Sequence, residues 1–200
     1  MIAVIDYGLG NIASVVNALD KLGIVNQISS NPLVIKKAKA IILPGVGAAG
    51  TGMKNLKKRN LDKVLLEEIK KGKPFLGICL GMQLLFETSE EGDVDCLGIF
   101  EGTVKRFRKQ RKVPQIGWNN VRIMNSELRI MDTIENNSYF YFVNSYYCDP
   151  VDTSIIVGET TYGETFTSIV AKDNIVGVQF HPEKSGDVGF RLLENFMRLC

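Results

Sequence analysis

Two hydrophobic rhythms alternate along the first half of the chain. Three short runs, Ile2 to Ile5, Ala40 to Leu43 and Phe75 to Ile78, are apolar throughout, and each leads into glycine-rich turn chemistry. Continuous apolar runs of that length, bounded by turn signals, read as strands buried on both faces, as in a parallel sheet. Between them the period lengthens. Asn11 is placed to cap a helix reaching about Leu22 with Gly23 as its stop, and Asn60 to cap another in which Leu61, Val64, Leu65 and Ile69 recur at helical spacing before Gly72. Strand and helix alternating in this way predict a doubly wound α/β sheet.

After about Phe86 the pattern turns β-rich. Runs such as Gly102 to Phe107, Tyr139 to Val143, Ile155 to Val157, Thr167 to Val170 and Ile175 to Phe180 predict antiparallel or mixed strands added to the same core. A last amphipathic helix carries Leu192, Leu193, Phe196 and Met197 on one side. With 200 residues, 45% of them hydrophobic, the chain can bury one sizeable core without a staple. Its 24 basic and 22 acidic residues leave a net charge of +2, too little to argue for nucleic acid or an anionic membrane. The start, Met1-Ile2-Ala3-Val4-Ile5-Asp6, lacks the basic and long apolar regions of a signal peptide, and no apolar run nears the roughly 20 residues of a membrane span. A cytoplasmic protein is expected.

Two glycine clusters imitate nucleotide sites and fail in detail. Gly8-Leu9-Gly10-Asn11-Ile12-Ala13 fits the dinucleotide fingerprint, but no acid lies between Asp20 and Asp62 to hold a ribose, and no arginine precedes Arg59. It reads as a tight turn beneath a helix. Pro44-Gly45-Val46-Gly47-Ala48-Ala49-Gly50-Thr51-Gly52 has the glycine spacing of a phosphate loop without its Gly-Lys-Ser/Thr ending. Its functional alternative is a strip of unshielded backbone N–H groups that meets an oxyanion. Lys105 to Lys112 holds six basic residues, Lys105, Arg106, Arg108, Lys109, Arg111 and Lys112, and reads as a solvated loop. The single tryptophan, Trp118, is open to two readings, core or partner anchor.

The chemistry concentrates elsewhere. Gly77-Ile78-Cys79-Leu80-Gly81 has the glycine-x-nucleophile-x-glycine form of an elbow, in which small flanks permit a strained strand-to-helix turn. Leu80 would then offer its N–H to an oxyanion. None of the four cysteines, Cys79, Cys96, Cys148 and Cys200, shares a C-x-x-C spacing, which argues against zinc or disulfide use and leaves a thiol free. The only histidine, His181, precedes Pro182 and Glu183. Proline biases the residue before it to an extended conformation, in which positions i and i+2 share a side, so His181 and Glu183 are expected to project together. A thiol is only a few per cent thiolate near neutral pH, and an imidazole steadied by a carboxylate is the group that activates it. No metal or cofactor is called for.

These motifs resemble the class I (triad) glutamine amidotransferases. The likeness runs nearly end to end, through Asp6 to Asn11, Pro44 to Gly47, Gly77 to Phe86, Pro114 to Asn119, Tyr141 to Tyr146 and His181 to Ser185. The first, second and fourth of these segments are similar to the branch that serves imidazole glycerol phosphate synthase in histidine biosynthesis. The resemblance implies a flavodoxin-like mixed sheet with helices on both faces, in a single glutamine amidotransferase type 1 domain over residues 1–200. It implies Cys79 as nucleophile toward the side-chain amide of L-glutamine, His181 as base and then acid, and Glu183 as its orienting carboxylate. Oxyanion donors would be the Leu80 N–H and an N–H of the Val46-Gly47 strip, which in the family flips into position, leaving the free subunit nearly idle.

Gly45, Gln83, Glu91, Ser145 and Tyr146 are implied as the glutamine-binding set. Ammonia would pass to a (β/α)₈ cyclase subunit in a heterodimer, with Asn11, Trp118, Tyr141 and Lys184 facing that partner. Asn144 stands where some relatives carry histidine, which leaves the triad intact. Rival readings are a paralogous glutaminase serving surface-sugar amination or pyridoxal phosphate synthesis, a silent subunit that only activates a partner, and a cysteine peptidase on the same sheet.

Overall fold

The computed structural model describes residues 1–108 and 112–199. Its first half is β1 (Ile2–Ile5), α1 (Ile12–Lys21), β2 (Asn26–Ser29), α2 (Pro32–Lys37), β3 (Ala40–Gly45), α3 (Ala49–Lys58), α4 (Leu61–Lys70) and β4 (Phe75–Cys79), from which a single turn, α5 (Leu80–Gln83), continues directly. The second half is β5 (Phe86–Ser89), β6 (Val94–Asp95), β7 (Phe100–Arg106), β8 (Gln115–Ile123), β9 (Ser138–Asn144), β10 (Tyr146–Pro150), β11 (Ile156–Tyr162), β12 (Glu164–Lys172) and β13 (Ile175–Val178), closed by α6 (Gly186–Met197).

The sheet has a parallel half in the order β2-β1-β3-β4-β13. Beyond β13 it becomes mixed. β12 lies antiparallel to β13 and to β10, β10 pairs antiparallel with β7, and β5 runs parallel to β7 before folding back on β6. β12 also pairs with β11, which leads to the β8–β9 hairpin, so the sheet forks there.

Although β1, β4 and β13 carry no polar side chain apart from the terminal Cys79, successive residues still face opposite ways. Ala3, Ile5, Ile41, Leu43 and Phe75 pack with Ile35 of α2, Met53 and Leu56 of α3, and Leu61 and Leu65 of α4. Ile2, Val4, Ile42, Leu76 and Val178 pack with Val15 and Leu19 of α1, and Leu192, Leu193 and Phe196 of α6. This is the doubly wound, flavodoxin-like arrangement with helices on both faces. Each fully buried aliphatic side chain contributes about 1.5–3 kcal/mol relative to exposure. Because β1, β3, β4 and β13 are parallel, the turns after them all open at one edge of the sheet, where such folds place their sites.

Several expectations need correcting. Asn11 does cap α1, its side chain accepting from Ser14 N–H, but Asn60 enters α4 in a left-handed conformation (φ 54°) and makes no side-chain cap. The glycine strip is shorter than read: Ala49 already begins α3, so Gly50, Thr51 and Gly52 are helical, and Gly52 lets that helix approach Leu84. β2, α2, β5, β6 and β8 had no clear signal in the hydrophobic pattern, being short or half-exposed.

The glycines flanking Cys79 are required by packing. A Cβ on Gly77 would lie 2.6 Å from the Gly81 carbonyl oxygen, and one on Gly81 would overlap the Leu43 carbonyl. Neither obstacle is a flexible side-chain end. Gly81→Ala is expected to destabilise the fold by roughly 3 kcal/mol, the upper end for overpacking, whereas Gly23→Ala, with nothing within 4 Å and only a positive φ to pay for, should cost about 1 kcal/mol. Urea unfolding of the two variants checks the order.

Candidate active site

Cys79 ends β4 at φ 53° and ψ −108°, a conformation that residues other than glycine rarely adopt. β4 delivers it, α5 leaves at once, and the pair of flanking glycines allows the helix start to press against β3 and β4. The consequence is the geometry of a nucleophile elbow: Cys79 sits at the strand-to-helix turn, 6% exposed, packed with the α1/α6 core layer yet on the wall of a cavity.

His181 follows β13, the strand paired with β4, so a separation of about a hundred residues in sequence closes to adjacent strand ends. Its backbone is extended (φ −101°, ψ 96°), as its following proline predicts. Its N–H donates to Tyr141 O at 2.9 Å, and its carbonyl accepts from Ser185 Oγ at 2.7 Å. The imidazole Nδ1 lies 2.8 Å from Glu183 Oε1, leaving Nε2 for the Cys79 sulfur, to which the ring is hydrogen-bonded. Both side chains of the His181–Glu183 pair are buried. The pairing arises differently from the expectation: Pro182–Lys184 forms a 3₁₀ turn, and that turn, not a continuing strand, swings Glu183 back under the ring.

Burial alone pushes the His181 imidazole down, but its hydrogen bonds to Cys79 and Glu183 outweigh this and raise it to about 10. The proton is therefore favoured on the ring, opposite a sulfur able to carry the negative charge. Glu183 fixes the tautomer and supports the imidazolium.

A cavity of about 350 Å³ opens over the sulfur, lined by Val46, Gly47, Ala48, Cys79, Leu80, Gln83, Glu91, Pro114, Val143, Asn144, Ser145 and Tyr146. Of the residues implied as oxyanion donors or glutamine contacts, only Gly45 is not on its wall. Gly45 is buried beneath it, where a Cβ would strike the Tyr7 hydroxyl and the Leu80 side chain. Glu91 reaches the cavity with one oxygen already used: Oε2 accepts from Ala49 N–H at 2.8 Å and so caps α3, which has no side-chain cap of its own. The Tyr146 carbonyl accepts from Gln83 Nε2 at 3.2 Å and from Asn144 Nδ2 at 3.0 Å.

Asn11, Lys184, Trp118 and Tyr141 lie outside the cavity. Trp118 and Tyr141 are cross-strand partners in the β8–β9 hairpin with their rings 6.0 Å apart, and Trp118 is 54% exposed, which excludes the core reading. The glycine turn after β1 is a turn held by Gly8 N–H donating to Asp6 Oδ1, with Gly8 and Gly10 at positive φ. In the basic run, Lys109, Gln110 and Arg111 lie outside the described residues; Lys105 pairs with Asp149, and Arg108 with Glu90 at 3.1 Å.

Two residues at the site carried no sequence signal. Gln179 is fully buried with Nε2 3.6 Å from the Cys79 sulfur and Oε1 3.1 Å from Gln83 Nε2. Tyr7 is fully buried, and its hydroxyl finds no partner among the described residues. Burial first, and then the neighbouring Cys79 sulfur, push its phenol far up, which keeps it neutral. A buried amide two residues before a histidine and a tyrosine at a strand end both look like ordinary core positions until the fold brings them to the sulfur.

The sulfurs should differ in reactivity. Burial raises the Cys96 thiol to about 11 and that of the fully buried Cys148 well above the usual range. At about pH 7.5, iodoacetamide should label Cys79 roughly tenfold faster than either, although Cys96 is the more exposed. Peptide mapping by mass spectrometry reads the order; labelling of Cys96 first would contradict it.

The chain matches the family model for class-I glutamine amidotransferases over residues 3–200. Among curated proteins, the imidazole glycerol phosphate synthase subunit HisH of Herpetosiphon aurantiacus is 47% identical over 201 residues, with 100% of this chain and 95% of that protein covered. The protein of the same name from Trichodesmium erythraeum is 46% identical over 199 residues, with 98% and 93% covered. In fold, a chain of PurLQS from Thermotoga maritima superposes with a TM-score of 0.80 at 17% identity, covering 98% of this chain and 97% of that one. A solved glutamine amidotransferase gives 0.77 at 18% identity, with 100% and 98% covered. With its elbow cysteine, buried histidine–glutamate pair and nearly end-to-end match, the chain belongs to the class-I glutamine amidotransferases.

Proposed function

We propose that this chain is the glutaminase subunit of an imidazole glycerol phosphate synthase, releasing ammonia from L-glutamine for a (β/α)₈ cyclase subunit bound to it. The observation that carries the glutaminase reading is the Cys79–His181–Glu183 contact at the floor of a cavity of about 350 Å³. Identity of 44–47% over essentially the whole chain to synthase subunits from several bacteria supports this branch of the family.

The Cys79 thiolate adds to the side-chain amide carbon of glutamine, and the carbonyl π electrons move onto oxygen. The Leu80 N–H and an N–H of the Val46-Gly47 strip meet that oxyanion, where fixed donors stabilise charge as it develops. His181 gives its proton to the departing nitrogen, the C–N bond breaks, and ammonia leaves a glutamyl thioester on Cys79. Water then attacks the thioester as His181 takes its proton, and glutamate is released with the sulfur restored. Gln83, Ser145, Tyr146 and the free oxygen of Glu91 surround the amino-acid end of the substrate, Glu91 being suited to an ammonium group.

The partner face is the outer side of the β8–β9 hairpin. Ile116, Trp118 and Tyr139 are 61%, 54% and 60% exposed there, a cluster of large apolar groups on one face beside Tyr141. Clustered exposed apolar residues mark an interface, and aromatic anchors carry much of such binding. This face is fastened to the chemistry, since Tyr141 O accepts from His181 N–H and Tyr141 N–H donates to Ser185 Oγ. Asn11, capping α1, and exposed Lys184, in the turn after His181, extend the surface around the histidine. A sealed passage there keeps ammonia from protonation by water.

Cys79→Ala should abolish glutamine-dependent turnover of the reconstituted complex while leaving turnover with added ammonia intact; equal loss of both, or of neither, would sink the glutaminase assignment. Trp118→Ala should weaken cyclase binding by about 2 kcal/mol, roughly thirtyfold in Kd, measured by titration calorimetry. An unchanged Kd would place the partner elsewhere.

A further inference from the structure

We infer that Gln179 is a further catalytic residue, a donor that holds the Cys79 sulfur in its nucleophilic form, and that its direction is set by the substrate-binding backbone at Tyr146 through Gln83. The inference deepens the glutaminase reading and rests on it.

Four groups form one line across the floor of the site. The Tyr146 carbonyl accepts from Gln83 Nε2 at 3.2 Å, Gln83 Nε2 also donates to Gln179 Oε1 at 3.1 Å, and Gln179 Nε2 stands 3.6 Å from the Cys79 sulfur. Side-chain amides can be turned end for end with little change in shape, so their direction has to be argued from partners. Here one atom decides it. A main-chain carbonyl can only accept, so Gln83 must present nitrogen to Tyr146, and both hydrogens of that nitrogen are used. The Gln179 atom facing them must then be oxygen. Its nitrogen is left pointing at the sulfur.

The sulfur therefore has an N–H donor on one side and the His181 ring on another. Opposing them is the Val143 carbonyl at 3.8 Å, which can only accept from a protonated thiol. The other titratable groups bearing on Cys79 are Tyr7 and Cys148, with Glu183 behind the histidine and Glu91 on the cavity wall. Both phenol and second thiol stay neutral, so they leave the balance to His181 and Gln179. Gln179 is fully buried, with its backbone N–H donating to Ser168 O at 2.9 Å. A donor to a charged acceptor in such a place is worth more than one to a neutral group.

The test is the pH dependence of Cys79 alkylation by iodoacetamide in Gln179→Met, an unbranched replacement of similar size. The alkylation midpoint should move up by about one pH unit, a roughly tenfold loss of rate below the midpoint, while the high-pH plateau stays within about twofold. A merely structural role would lower the plateau and leave the midpoint in place, and either that result or no change in a folded variant would overturn the inference. Gln83→Met should produce no further midpoint shift when added to Gln179→Met, because Gln83 reaches the sulfur only through Gln179; an additive shift would break the chain of contacts.

Should Gln179→Met fail to fold, NMR of the native chain serves instead. The side-chain amide protons of Gln179 should shift as Cys79 ionises and stay still over the same pH range in Cys79→Ser; equal behaviour of the two proteins would overturn the inference. Alkylation needs neither glutamine nor partner. A midpoint that moves as expected in Gln179→Met, together with a complex of the unaltered chain that releases no glutamate, would therefore sink the glutaminase reading and leave the role of Gln179 at the sulfur standing.

Discussion

The backbone of Cys79 is held where an ordinary residue does not rest, and the site is built around that constraint. At φ 53° the turn sets the sulfur on the wall of the cavity, and it can persist only because the surroundings over-determine it. Gly77 and Gly81 let the start of α5 lie against β3 and β4 with no room for a methyl group, and Gly45 gives way beneath it to the Tyr7 hydroxyl. Strain at one residue is thus offset by close packing at three glycines, and Val46, Gly47 and Leu80 line the same cavity as the sulfur.

Around the sulfur, charge is arranged by geometry. His181 arrives from the adjacent strand, its main chain bonded to β9 at Tyr141 and its ring steadied by buried Glu183. An imidazole in that depth would ordinarily lose its proton, and it keeps it because a sulfur and a carboxylate face its two nitrogens. The tie between His181 and Tyr141 also means that the exposed aromatic face of the β8–β9 hairpin is hydrogen-bonded directly to the backbone that carries the imidazole. A partner seated on that hairpin would press on the site through two hydrogen bonds, not through a long relay.

Legibility in the sequence followed the kind of force at work. β1, β3 and β4 are readable because strands buried on both faces are unbroken apolar runs, the helices α1, α4 and α6 because one buried face imposes a hydrophobic period, and the elbow because only glycine fits beside it. The pairing of His181 with Glu183 was anticipated from the proline between them, yet the 3₁₀ turn that achieves it was not, since an X-Pro step limits the residue before it and says little about the residue after. Asn60 departs from the cap its sequence position predicts because asparagine tolerates a left-handed conformation as well as it caps a helix. β8, with Ile116 and Trp118 turned to solvent, lacks the alternation of a strand half-buried in its own chain. Gln179 and Tyr7 could not have been found, as their roles arise from contacts across about a hundred positions and about seventy.

The most direct measurement is mass spectrometry of the chain, mixed with a cyclase subunit and that subunit's ligand, acid-quenched during turnover of glutamine. A glutamyl thioester carried by the peptide that contains Cys79 is the predicted result. Steady release of glutamate with no covalent adduct in any quench, or an adduct on another cysteine, would contradict the account.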